Sequence, residues 1–454
     1  MTLRSTNPAT GELVAEYDEA TSGEVEACLA QASTAFERWR HVEPAARASL
    51  LRALAARLRE SVDELAQLAT LEMGKILPES RGEVVKSAWF CEYAAEFGPA
   101  ALAPRPIPGG HSENYVVREP VGPLLALMPW NFPYVQVFRF APAALMAGNV
   151  VILKHASNVP QCALRIAELF TEAGFPQGVF QTLLAEPDVV EPLLADPRLK
   201  GLTLTGSDQV GSQVAALAGR QLKHAVLELG GSDAFVVLDD ADIALAARVG
   251  CRARNINVGQ ACIAAKRFIV VDSVADRFES ELTERVRALR VGDPRDPATD
   301  VGPMVNERAR ERLRGQVEDS VAKGAVLRVG GFDWDGPGSY VRPMVLTDVT
   351  PDMRVFHEET FGPVAPLLRV RDESEAIAAA NASAFGLGAT VMSSDVERAR
   401  SVADRLEAGM VFVNTLVASD ARLPFGGQKR SGLGRELGEW GFLEFTNLKS
   451  VAIA

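Results

Sequence analysis

The stretch Val150-Val151-Ile152-Leu153-Lys154, taken with the segments after it, decides the fold class. It reads as a buried strand; residues 160–173 then carry apolar side chains at helical spacing and stop at Gly174, and residues 179–183 and 199–205 read as strands again. Strand, helix, strand at this spacing is a βαβ unit, which predicts a parallel sheet. Working outward, a second alternating series begins near Ser232, with strands expected at 234–238, 267–271, 364–369, 390–392 and 410–414, separated by helices at 243–255, 275–290, 374–382 and 396–406. On the N-terminal side, residues 23–40, 44–60, 62–73 and 79–97 have helical periodicity, and the proline- and glycine-rich run 103–110 breaks it before an alternating strand at 114–118. The reading is an α/β chain of two domains with a boundary near Gly231. Residues 445–452 alternate as well, and pairing beside 114–118 or with a neighbouring subunit's sheet would satisfy their backbone, which predicts an oligomer.

Composition narrows the class. A chain of 454 residues exceeds the size at which single cores stop growing, about 250–300 residues, and 47% hydrophobic content fills two or three cores. No run of about 18 apolar residues lacks a charge, and Met1 to Asn7 lacks the apolar segment of a secretion signal, so a cytoplasmic protein with no membrane association is expected. Cysteines 28, 91, 162, 251 and 262 are odd in number and scattered, as reduced thiols are. His41, His111, His155, His224 and His357 are equally dispersed, so no metal site is expected. A net charge of −12 opposes nucleic-acid binding.

Chemistry concentrates in Gly259-Gln260-Ala261-Cys262 and Glu228-Leu229-Gly230-Gly231. A thiolate adds readily to a carbonyl carbon, but a free thiol of pKa about 8.5 needs a base or a positive environment at neutral pH. The apolar Ala225-Val226-Leu227 delivers Glu228 to a Gly-Gly turn, where burial would raise its pKa into the range of a general base. The glycine-containing flank of Cys262 predicts a sharp turn with close backbone approach. Cys28, Cys91, Cys162 and Cys251 read as core residues.

These motifs combine with Pro129-Trp130-Asn131-Phe132-Pro133, Lys154 after its strand, Thr205-Gly206-Ser207, Glu359-Thr360-Phe361-Gly362-Pro363 and Pro424-Phe425-Gly426-Gly427. Together, from Asn7-Pro8-Ala9-Thr10-Gly11 to the tail, they resemble the NAD(P)-dependent aldehyde dehydrogenase superfamily. The resemblance implies a Rossmann-like cofactor domain (residues 1–104 and 122–230), a catalytic domain (231–427) and a small β oligomerisation arm (105–121 and 440–454) that makes a homodimer or homotetramer. It implies Cys262 as nucleophile, Glu228 as general base and Asn131, with the nucleophile's backbone N–H, as oxyanion donor. On the cofactor side it implies Gly206, Ser207 and Gly211 at the pyrophosphate, Lys154 at the adenosine ribose, Glu359 at the nicotinamide ribose and Phe361 packed on the nicotinamide, with Trp130 also a cofactor-binding residue.

NAD-preferring members commonly carry an acidic residue where this chain has Ser157, and serine can donate to a 2′-phosphate, so NADP is expected ahead of NAD. Lys154-His155-Ala156-Ser157, residues 135–140 and Val417-Ala418-Ser419-Asp420 look like the short bacterial succinate-semialdehyde dehydrogenase group, in which Arg139 and Ser419 would take a distal carboxylate. The expected reaction is oxidation of an aldehyde, succinate semialdehyde, to the acid through a thiohemiacetal and a thioester. The alternatives are a broad-specificity or CoA-acylating dehydrogenase and a non-enzymatic relative acting as a structural or ligand-binding protein.

Overall fold

The computed structural model describes residues 2–454. Among the described residues, two mostly parallel sheets and three small antiparallel ones carry the chain. The first sheet runs, in spatial order, Gly432–Leu433, His224–Glu228, Gly201–Thr205, Pro123–Met128, Val150–His155 and Phe180–Thr182, all parallel except the first pair. Pro123–Met128 and Val150–His155 are buried along their whole length, as parallel strands covered on both faces must be. Helices Ser22–Trp39, Pro44–Glu60, Val62–Met73, Leu77–Ala101 and Val135–Ala147 enclose this sheet, and their core runs through Leu51, Leu54, Phe138, Ile152 and Phe170. The second sheet takes up the chain at Asp233–Val237 and runs Val326–Gly331, Arg342–Thr347, Val364–Val370, Ala265–Val271, Asp233–Val237, Gly388–Met392, Met410–Val413, with one antiparallel pair at its outer end.

The expected βαβ alternation is present, with helices Pro44–Glu60, Val62–Met73 and Ile243–Asn255 at the predicted bounds. The tail strand Thr446–Ile453 pairs antiparallel with Glu113–Pro120 in one continuous register, Thr446 opposite Pro120 through Ile453 opposite Glu113, the first of the two anticipated partners. Several features escaped the sequence reading, strands Pro123–Met128, Val326–Gly331 and Arg342–Thr347 among them. Strands Thr2–Thr6 and Leu13–Asp18 form an N-terminal hairpin whose mostly exposed residues carry too little apolar pattern to separate it from a loop. Helix Glu307–Ala322 buries only Leu313, Gln316, Val317 and Ser320, so its hydrophobic stripe is sparse. The segment Gly432–Leu433 leaves the second sheet's half of the chain and returns to the edge of the first, beside Glu228.

One buried amide joins three of these parts. Asn149 accepts from the Val121 and Gly122 N–H groups at 2.9 and 3.0 Å and donates to the Ala144 and Phe445 carbonyls at 3.2 and 3.0 Å. It ties the start of strand Pro123–Met128 to the end of helix Val135–Ala147 and to the approach of the tail strand. Replacement by alanine leaves several buried backbone groups unpaired, so Asn149→Ala is expected to destabilise the protein by about 2–4 kcal/mol. Urea unfolding followed by tryptophan fluorescence measures it, and an unchanged midpoint would show that solvent replaces all four bonds.

Candidate active site

The carboxyl ends of the first sheet's parallel strands point toward one crevice, where ligands of open α/β sheets are bound. Pro123–Met128 ends just before Trp130 and Asn131, Val150–His155 contains Lys154, Gly201–Thr205 leads to Gly206 and Ser207, and His224–Glu228 ends on Glu228. The half of the chain that carries the second sheet brings Cys262 to the same place on a sharply folded turn. Asn257, Val258 and Gly259 are all left-handed, at φ of 50°, 58° and 71°. Only the glycine adopts this freely, and a β-branched valine there is strained. A Cβ at Gly259 would lie 2.5 Å from the Gly362 backbone, so the close approach expected from the sequence is real.

Several bonds hold the turn. Buried Arg254 donates to the Gly259 carbonyl at 2.7 Å and the Ala265 carbonyl at 3.0 Å, and Gln260 Oε1 accepts from the Val305 N–H at 2.9 Å. Asn257 Nδ2 donates to the Asn131 carbonyl at 2.7 Å, and Asn131 Nδ2 donates to the Gln260 carbonyl at 3.0 Å, so the Asn131 and Cys262 turns are stitched directly together. One Asn131 Nδ2 hydrogen remains for another acceptor. The Cys262 N–H has no backbone acceptor among the described residues. From the other side Glu83 accepts from the Tyr134 and Val135 N–H groups at 2.7 and 3.0 Å, capping helix Val135–Ala147, and its partner Lys75 lies 3.8 Å from the centre of the Phe132 ring. The sequence reading missed this buried ion pair. Its only trace is a carboxylate among the buried side chains Ser80, Val84, Ser87 and Phe90 of one helix face.

Electrostatics link the nucleophile to the carboxylate. Burial pushes the Cys262 thiol up to about 11; Arg139 and Lys266 pull it back, while Asp233 and Glu228 add to the rise. Glu228 stands well above the usual carboxylate range, first through burial and then through repulsion by Glu436, against the attraction of Arg139 and Arg435. Both Glu228 oxygens are buried without a hydrogen-bond partner, and a Cβ on Gly426 would come within 2.6 Å of Oε1. Glu359 accepts from the Gly231 N–H at 3.0 Å and pairs with Lys266 at 3.2 Å, and Lys266 also donates to the Cys262 carbonyl. Cys262, the Gly230-Gly231 turn and Glu359 are thereby one connected unit.

Cys262 opens into a cavity of about 520 Å³ whose wall includes Lys86, Phe132, Arg139, Ser419 and Phe425. Arg139 faces that cavity, yet its Nε is paired with the buried Glu436 and its guanidinium lies 4.0 Å from the centre of the Phe425 ring. On another side of the junction, Trp130 and Phe361 meet edge to face at 5.9 Å and line a second cleft of about 200 Å³. The two rings make a flat part of that cleft's wall, whose lining does not include the partly exposed Glu359. Ser207 caps helix Asp208–Arg220 by accepting from the Val210 N–H at 3.3 Å. Gly211 lies inside that helix, where a Cβ would come 2.4 Å from Leu229, so its visible effect is close packing of the helix against the Glu228 turn. Lys154 is buried beside Glu186, Asp188 and Glu19, and the Ser157 hydroxyl donates to Glu186 at 3.2 Å. No cluster of potential metal ligands exists among the described residues.

Residues 1–451 match the model of the aldehyde dehydrogenase family. A succinate-semialdehyde dehydrogenase [NADP(+)] of Deinococcus radiodurans is 49% identical over 98% of this chain and 93% of that protein. One from Mycobacterium avium is 48% identical over 100% of this chain and 97% of its own length. The crystal structure of succinic semialdehyde dehydrogenase from Streptococcus pyogenes, in complex with NADP+ as the cofactor, superposes with a TM-score of 0.97 at 38% identity over 99% of both chains.

Because the Cys262 thiol is raised to about 11, its thiolate fraction grows with pH across the whole neutral range. Alkylation of the free enzyme by iodoacetamide, followed at Cys262 by mass spectrometry, is expected to accelerate roughly tenfold per pH unit from 7 to 9. A rate already level at pH 7 would mean that the resting thiol is ionised.

Proposed function

This chain belongs to the aldehyde dehydrogenase family, and on that premise we propose that it oxidises succinate semialdehyde to succinate with NADP as hydride acceptor. The observation that carries this reading is that Cys262 opens into a cavity walled by Arg139, Lys86 and Ser419, a cationic and hydrogen-bonding lining for an aldehyde with a second, anionic end. The names of the curated relatives support the same substrate and cofactor.

Chemistry starts with proton removal from Cys262, and Glu228 is the base. The Sγ–C bond forms at the aldehyde carbon while the carbonyl π pair moves onto oxygen. Asn131 Nδ2, through its remaining hydrogen, and the Cys262 N–H stabilise that oxyanion, a contribution worth about 10²–10³ in rate. The nicotinamide, when bound, supplies the hydride acceptor that turns the thiohemiacetal into a thioester. Glu228 passes the Cys262 proton to solvent and, as a carboxylate again, takes a proton from water as the water oxygen attacks the thioester carbon; the C–S bond breaks to return the thiolate and release the acid. Burial keeps Glu228 poised for this, because its raised proton affinity makes it a better base than a solvated carboxylate.

Lys154 and Ser157 hold the adenosine ribose and its 2′-phosphate in this reading, and Glu359, Trp130 and Phe361 the nicotinamide end. We also assign a homo-oligomer. The outer edge of Thr446–Ile453, with Leu448 and Ile453 exposed, is free to pair with the sheet of a second copy. Five unpaired cysteines support a reducing, cytoplasmic setting.

Rapid mixing of enzyme, succinate semialdehyde and NADP+ tests the mechanism. With CoA also present the wild type should yield succinate rather than an acyl-CoA, and Cys262→Ala no reduced cofactor. Glu228→Gln should slow steady turnover by at least about tenfold; turnover in that variant at the wild-type rate would remove the base assignment. The Glu186 carboxylate beside Ser157 opposes a 2′-phosphate by charge. In equilibrium titrations Glu186→Gln is therefore expected to tighten NADP+ several-fold more than NAD+, and equal changes would place Glu186 outside cofactor discrimination.

A further inference from the structure

The wall of the Cys262 cavity holds a half-buried cation with no ion-pair partner among the described residues. Lys86 lies on helix Leu77–Ala101, half-buried, with Arg139, Arg252 and Ser419 on the same wall. The two arginines are less available than their charge suggests. Arg139 is committed through Nε to Glu436 and stacked on Phe425, and its Nη2 is sealed from solvent without a partner. Arg252 sits at the exposed rim beside Glu79. Lys86 makes no hydrogen bond or ion pair among the described residues.

The carboxylates around Lys86 are already occupied. Asp420, from the loop that carries Ser419, takes the Arg422 N–H at 2.9 Å, its Nε at 2.9 Å and its Nη2 at 2.7 Å. Glu83, one turn earlier on the helix of Lys86, is the partner of Lys75 and the cap of the next helix. Glu79, two turns earlier, accepts the Asn257 N–H at 2.9 Å, and burial pushes it up to about 7, so it is partly protonated near neutral pH. Burial and the neighbouring Arg139 in turn bring Lys86 down to about 8, with Asp420 only partly opposing them. An ammonium group desolvated in this way gains most from a carboxylate delivered into the cavity, and a lysine's flexible stem and compact charge allow it to meet one without a fixed geometry.

We propose that Lys86 is the direct ligand of the substrate's far carboxylate and sets the preference for an acidic aldehyde over a neutral one of the same length. Arg139 then contributes positive field and packing against Phe425, and Ser419 a hydrogen bond. The proposal rests on the succinate-semialdehyde reading given above.

The test compares kcat/KM for succinate semialdehyde and for butanal in the wild type, Lys86→Met and Lys86→Arg, together with the inhibition constant of succinate. Lys86→Met keeps the apolar stem and is expected to lower the semialdehyde-to-butanal ratio at least about tenfold, mainly through KM for the semialdehyde, and to weaken succinate inhibition in parallel; Lys86→Arg should recover most of both. A wild type that prefers the semialdehyde, with the ratio and the succinate constant unchanged in Lys86→Met, overturns the role of Lys86 and leaves the substrate assignment standing on Arg139 and Ser419. A wild type with no preference overturns both. Lys86→Gln carries the same comparison if the methionine variant does not fold.

Discussion

Buried polar atoms without partners are crowded into one region of this protein, and the architecture is arranged around that constraint. Asn131 Oδ1, Arg139 Nη2, both Glu228 oxygens, Asp233 Oδ2 and Asn257 Oδ1 all lie at the junction of the two large sheets. An orphaned buried polar group costs about 1–3 kcal/mol, and native proteins retain few of them. Such a concentration persists only where the surrounding structure over-determines it. Here the over-determination is visible: Arg254 grips the Cys262 turn, Glu83 and Lys75 grip the Asn131 turn, and the two turns exchange bonds through Asn131 and Asn257. Val258 in a left-handed conformation is a second form of the same stored strain.

The charges at this junction act on one another rather than as isolated groups. Glu228 and Glu436 repel, Arg139 stands between the demands of both, and Cys262 feels Arg139 and Lys266 from one side and Glu228 and Asp233 from the other. A low-dielectric setting makes each of these effects larger than it would be in water. In the resting protein the result is a thiol and a carboxylate whose proton affinities are both raised. Chemistry then depends on what enters the cavity to change that balance.

The placement of the site follows from sheet topology. Parallel strands send their carboxyl ends to one edge, so Trp130, Asn131, Lys154, Ser207 and Glu228, far apart in sequence, meet along it. The returning segment Gly432–Leu433 then closes the edge beside Glu228, bringing Arg435 and Glu436 with it. Neither the return nor the buried Glu436 has a periodic signature, since the segment is only a pair of residues and its partner strand lies far earlier in the chain.

The chain's sequence by itself determined the α/β alternation, the main strands and helices, and the catalytic candidates, because hydrophobic periodicity and short motifs such as Gly259-Gln260-Ala261-Cys262 are local properties of neighbouring residues. It also indicated that burial would raise Glu228, since an apolar strand ending in Gly-Gly predicts a desolvated carboxylate. Only the tertiary structure decided which charges are free and which are committed. Arg139 and Lys86 look alike as cations in a sequence, but one is paired with Glu436 and stacked on Phe425 while the other faces the cavity with its neighbouring carboxylates already bonded. Ser157 likewise reads as a free donor until Glu186 is seen beside it. Ion pairing and desolvation are set by distances between residues remote in the chain, and no local pattern encodes them.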